Sequence, residues 1–130
     1  MKSRDTLIRL KRFQVDDKRR RVAQIEMMIA EFDRMAADLD REIAAEEQKA
    51  GITDPNHFAY PTYARAAAQR RDNLRQSAQN LHAQLDDAKA ELGEAFEELK
   101  KAESLEDRER SLEQAAIGQA GHSRSLRASA

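Results

Sequence analysis

The apolar residues between Val15 and Ile43 recur on a heptad over four repeats, and this spacing constrains the chain more than any other feature. Val15, Val22, Ile29, Ala36 and Ile43 form one row; Ile25, Phe32 and Leu39 form the other. Alternating steps of three and four residues hold one stripe of a slightly underwound helix toward a partner, and the charged residues between the rows keep the far side in water. The fold question is therefore what packs against this seam.

A second seam lies downstream, with Leu74, Leu81, Ala88, Ala95 and Ala102 in one row and Ala78, Leu85, Leu92 and Leu99 in the other. Between the seams, Gly51 to Thr62 holds both prolines of the chain. The first helix is expected to begin near Ser3, which can cap an open backbone N–H, with Asp5 in the first turn. It meets no Gly or Pro before Gly51, a length of roughly 70 Å at the helical rise. Gly51 suits the left-handed C-terminal cap. Asp54 and Pro55 suit a turn, with room for a short helical one. A connection of about a dozen residues folds the second helix back on the first. The predicted fold is all-α: a long antiparallel two-helix coiled-coil hairpin with helix 3–50, turn 51–62 and helix 63–117. Residues 118–130, rich in Gly, Ser, Ala and Arg without an apolar period, are expected to form a disordered C-terminal tail.

Charge supports the same pairing. Residues Met1 to Arg21 carry nine basic and three acidic side chains, a local +6, while Asp86 to Glu113 carry eleven acidic and five basic, a local −6. Antiparallel folding about residue 56 sets Arg21 near Glu91 and Met1 near Ser111, so the two blocks lie side by side. Exposed pairs contribute only about 0 to 1 kcal/mol each, so this match selects register more than it stabilises. Aromatics are 5% of the chain, Trp is absent and charged residues are 36%. So little bulk cannot fill a wide core but suffices for a stripe, and an elongated molecule is expected.

The seams have gaps. Lys11, Lys18 and Glu46 fall in core rows of the first helix and Arg71 in one of the second, so their stems either reach past the seam to water or meet a partner's carboxylate. The second seam is rich in Ala, which buries little area, so a hairpin of modest stability is expected.

Some apolar residues have no place in a two-helix seam. Leu10 and Phe13 project away from the stripe that Ile8 and Val15 extend, Leu7 joins them in an all-round collar, and Leu105, Leu112 and Ile117 come alongside in the hairpin. They are scattered surface residues, or a contact buried in another protein or a second copy. Met28 and Met35 flank the seam and are expected to widen it. Phe58, Tyr60 and Tyr63 gather half the aromatics at the tip, where they either close the turn or anchor a partner.

Other classes find little support. The basic run Lys18 to Arg21, with Lys11 and Arg12, suggests nucleic acid in isolation, but the acidic helix neutralises it and only Phe13 is near enough to stack on a base. His57, His82 and His122 are scattered rather than spaced for a metal. No phosphate loop, nucleophile elbow or paired buried acid is present. The reading is no enzyme, no cofactor, no metal and no nucleic-acid partner. No apolar run is long enough to insert in a bilayer, the charged start lacks the apolar core of a secretion signal, and there is no Cys. A cytoplasmic protein, or one docked peripherally on something else, is expected.

Three stretches carry a family resemblance: the opening Met1 to Phe13, the run Lys18 to Ile25, and the tip Asp54 to Tyr63 leading into Gln69 to Leu74. Over roughly Met1 to Glu109 the chain resembles the flagellar export protein FliJ family in its alphaproteobacterial form. The resemblance implies a paired-helix stalk similar to that of the rotary ATP synthase gamma subunit. It would insert into the hexameric flagellar export ATPase, promote its assembly and activity, and link it to the membrane export gate, with export chaperones as further partners. Our own inference, added to the resemblance, is that Leu7, Leu10, Phe13, Leu105 and Leu112 help seat the terminal end in the ring and that Phe58, Tyr60 and Tyr63 help dock the tip at the gate. The alternative is a generic coiled-coil scaffold that self-associates through the same collar.

Overall fold

The computed structural model describes the backbone of residues 2–129 and the side chains of residues 3–121. It holds two helices, α1 (Lys2–Ala50) and α2 (Thr62–Ser129), and no strand among the described residues. They pair antiparallel, giving the expected all-α hairpin. The chain divides into a terminal unit, Met1–Lys18 with Glu91–Ala130, and a turn unit, Arg19–Ala90.

In the turn unit both predicted rows are inside. Val22, Ile25, Ile29, Ala36, Leu39 and Ile43 of α1 are buried, as are Ala64, Ala67, Ala78, Leu81, Leu85 and Ala88 of α2. Phe32 and Leu74 are half-buried. Ile25 is the most enclosed large side chain, at 1% exposure. Asp40 sits beside this seam and accepts a hydrogen bond from Arg71 Nη1 at 3.0 Å and another from Arg75 Nη2. Loss of solvent opposes ionisation of Asp40, but the two guanidinium groups outweigh it and hold the carboxyl below its ordinary range. Arg71 therefore crosses its gap in the seam to a carboxylate of the other helix.

In the terminal unit the apolar seam is thinner. Ile8 and Val15 are buried on α1, and only Ala95 and Ala102 on α2, with Leu92 and Leu99 half-buried. The other α1 row is cationic, since Arg4, Lys11 and Lys18 continue the heptad of Ile25 toward the N-terminus. Their stems lie along the seam and their heads end on α2: Lys18 Nζ on Glu91 at 3.0 Å, Lys11 Nζ on Glu98 at 2.8 Å, and Arg4 on Glu113 at 3.0 Å and on Glu109. Of the two readings left open for Lys11 and Lys18, the stems do reach past the seam, and there the chain's own half-exposed carboxylates receive their heads. The hydrogen bond from Lys11 holds Glu98 below its ordinary pKa. These pairs place the basic block beside the acidic one, with Lys18 rather than Arg21 level with Glu91.

The turn differs from expectation in one detail: the Asp54–Pro55 segment forms hydrogen-bonded turns rather than a helical one. At the other end the helical backbone of α2 runs on through Gly118 and Gly121, and residues 118–121 are exposed, in keeping with a C-terminal tail outside the hairpin seam. The residues around these glycines (Gln, Ala, Leu, Glu) are good helix formers, and each Gly costs only about 1 kcal/mol. Residues 107–121 are exposed throughout, so no seam covers this stretch. The side chains of 122–130, His122 among them, lie outside the described residues.

Replacing Ile25 with Ala should destabilise the chain by about 2 to 4 kcal/mol in urea unfolding followed by circular dichroism, against under about 0.5 kcal/mol for Leu112→Ala. An equal effect at both sites would contradict the seam. Asp40→Asn tests the electrostatic contact. A carboxyl with a lowered folded pKa adds stability above its unfolded pKa and loses it as pH falls through the folded one. Wild type should therefore exceed the variant by up to about 1 kcal/mol near pH 7, with the gap closing below the ordinary Asp value of about 3.9. A gap independent of pH would refute the ion pair as its source.

Candidate docking surfaces

The turn is closed by a succession of backbone and side-chain hydrogen bonds. Gly51, at φ +71°, is the only described residue with positive φ. Its N–H and that of Ile52 both reach the Glu47 carbonyl, at 2.9 and 3.3 Å, which closes the end of α1 as a Schellman-type cap. Asp54 then organises the next turn: its side chain accepts from the Asn56 N–H at 2.9 Å and its carbonyl from the His57 N–H at 3.1 Å. The His57 carbonyl accepts from the Tyr60 N–H at 3.1 Å and its Nδ1 from the Ala59 N–H at 3.0 Å. These bonds leave the intervening backbone little freedom.

The three tip aromatics part company here. Tyr60 is 6% exposed and packs with Leu39, Ile43, Ala64 and Ala67. Its hydroxyl donates to Glu47, and Arg65 stands 5.5 Å above its ring. Burial, aided by the Glu47 carboxylate, raises its pKa. The expectation of Tyr60 as a docking residue is thereby corrected: it closes the turn, because Pro61 and the start of α2 swing its ring onto the last α1 layers. Phe58 is its opposite, 96% exposed, with its ring stacked on His57 at 4.8 Å. Tyr63 is half exposed and donates to Glu42 at 2.7 Å, a bond that raises its pKa. Phe58 and Tyr63 are open to a partner; Tyr60 is their support.

The terminal unit carries the collar. Leu7, Leu10, Phe13, Leu105 and Leu112 are all exposed, Phe13 at 62%, and Ile117 with them. Phe13 stands at the rim of an open groove of about 380 Å³, lined also by Gln14, Asp17, Lys18, Glu91, Glu94, Ala95 and Glu98. The five residues are not one compact patch. Leu7 lies one heptad before Gln14, and Leu105 and Leu112 lie one and two heptads after Glu98, so these three extend the groove's own face. Leu10 and Phe13 form its outer edge on α1.

Sequence reasoning missed the groove. The signal available was the run Glu91, Glu94, Glu98, which falls on one helix face at steps of three and four. It also missed Met27, 70% exposed on the outside of α1. Met28 is likewise more open than seam widening implies, while Met35 is half-buried. Among the described residues no group of acidic and histidine side chains is arranged to hold a metal, and no helix is long and apolar enough to cross a membrane.

The geometry defines a class: an all-α two-helix coiled-coil hairpin. No protein-family model matches the chain, and searches of curated proteins and of solved structures find no similar one.

The division of the tip is open to a direct check. Tyr60→Ala should lower stability by about 2 to 4 kcal/mol, whereas Phe58→Ser should leave the thermal midpoint within error of wild type. A large loss with Phe58→Ser would mean that its ring is packed in solution.

Proposed function

We propose that this chain is a noncatalytic stalk of the flagellar type III export apparatus. In this reading the terminal unit enters the central pore of the hexameric export ATPase and promotes its assembly and activity. The turn unit faces the membrane export gate, with Phe58 and Tyr63 as contact residues, and export chaperones are additional partners. The protein would work in the cytoplasm, held peripherally at the inner membrane by these contacts.

The observation that carries the reading is the exposed collar of Leu7, Leu10, Phe13, Leu105 and Leu112 on an antiparallel helix pair. Five large apolar side chains are left in water on one unit, three of them at heptad spacing along the face of the Phe13 groove, and exposed apolar faces of this kind mark interaction sites. The resemblance of the opening and of the tip to the FliJ family supplies the identity of the partner. A stalk also needs only shape and surface, which accords with the motif content of the chain.

Leu10→Ser combined with Phe13→Ser should reduce stimulation of the export ATPase at least about fivefold, as expected for losing central apolar contacts. Helicity by circular dichroism should stay at the wild-type level, since both side chains are outside the seam. Full stimulation by the double variant would overturn the collar as the ATPase contact.

A further inference from the structure

The groove beside Phe13 distinguishes among the molecules that could cover the collar. Its floor is Ala95 and its walls carry Asp17, Glu91, Glu94 and Glu98 against Lys18. Glu91 and Glu98 are already engaged by Lys18 and Lys11, yet both remain about half exposed, at 54%. No cation among the described residues pairs with Asp17 or Glu94. The face therefore joins apolar area from Leu7, Phe13, Leu105 and Leu112 to two carboxylates, Asp17 and Glu94, that no ion pair engages.

A second copy meeting this face through a two-fold axis would set the same carboxylates against themselves, which opposes closure. A copy meeting it instead with the arginines on the outside of α1 would make a heterologous contact that leaves both outer surfaces free and propagates. A helix carrying an apolar stripe flanked by arginine or lysine satisfies both halves of the surface. Its apolar side chains would cover the leucines, its cations would meet Asp17 and Glu94, and a guanidinium could lie on the open Phe13 ring.

We infer that the Phe13 groove of the terminal unit is a docking site for a cationic amphipathic helix of a partner protein. This deepens the stalk reading by naming the chemistry of the ring segment that the collar meets, and rests on that reading only for the partner's identity.

The test uses the full chain and two fluorescein-labelled peptides of about 20 residues, long enough to form helix on binding. Both carry Leu on one stripe; one has Arg beside it and the other Glu. The Arg peptide should bind, weakening as salt rises, and the Glu peptide should bind at least about tenfold more weakly. Asp17→Asn with Glu94→Gln should weaken the Arg peptide about three- to thirtyfold, and Phe13→Ala by a similar factor. The distant exposed pair Glu31→Gln and Asp33→Asn, two heptads or more beyond Asp17 along α1, should leave it unchanged. Equal binding of the two peptides, or equal losses in the groove and distant variants, would overturn the site and indicate unspecific attraction. Sedimentation showing a dimer that excludes the Arg peptide would overturn it in favour of a second copy. The two proposals fail separately. Peptide bound at Phe13 without any ATPase stimulation by the chain sinks the stalk and leaves the groove. Stimulation that survives Asp17→Asn with Glu94→Gln but not Leu10→Ser with Phe13→Ser leaves the stalk and sinks the cationic partner.

Discussion

Each paired stretch of this chain has a single apolar stripe, covered mainly by the stripe of the other helix. An isolated helix in water is marginal however good its propensities, so the paired parts of α1 and α2 depend on that mutual burial. The two units meet the requirement differently. In the turn unit Ile25, Ile29, Leu39 and Ile43 are buried on α1, with Leu81, Leu85 and Tyr60 buried besides. In the terminal unit α1 buries Ile8 and Val15, and α2 only alanines. Alanine brings the backbones close but removes little area at about 25 cal/mol per Å². The cation row Arg4, Lys11 and Lys18 adds stems along the seam and half-exposed ion pairs of small individual worth. Local opening should therefore be cheaper in the terminal unit than in the turn unit, and a ligand on that unit would stabilise it by mass action.

The pairing was legible in the sequence because heptads and charge blocks are local patterns with one geometric solution. Both rows of the turn unit appear inside as read, and the basic block lies beside the acidic one. The register was legible only to within a few residues: Lys18, not Arg21, meets Glu91 at 3.0 Å. A long side chain can satisfy several registers, so charge alone cannot choose among them. The burial of Tyr60 was not legible. Residues 58, 60 and 63 look alike as aromatics near a turn, and only the bonded path from Gly51 through Asp54 to His57 decides which ring swings inward. That the residues from Gly118 lie outside the seam was legible in their missing apolar period, while their helical backbone follows local propensity, which such a period does not report.

The tip shows how a turn can expose a large ring at low cost to binding. Phe58 is almost wholly in water, yet the backbone on both sides of it is held by bonds to Asp54 and His57, and its ring rests on His57. A side chain already restricted in the free state loses less entropy when a partner covers it. Tyr60 anchors the same turn from below through Glu47 and the Leu39 and Ile43 layer. Exposure and order are thus produced by one arrangement of bonds.

The acidity of the Phe13 groove follows from where seam cations can reach. A Lys in a core row sends its head sideways to the nearest flanking carboxylate of the facing helix, and that row holds Glu91 and Glu98. Glu94 lies between them in sequence and lines the same groove, as does Asp17 of α1, and neither is the partner of a seam-row cation. The intrachain pairs therefore consume Glu91 and Glu98 and leave Glu94 and Asp17, however many basic residues α1 carries. Moving a cation to neutralise Glu94 would remove it from the seam and expose its stem. Register and docking charge are for this reason assigned to different carboxylates of one helix face, so altering Glu94 should leave the fit of α1 against α2 intact while changing what the groove can hold.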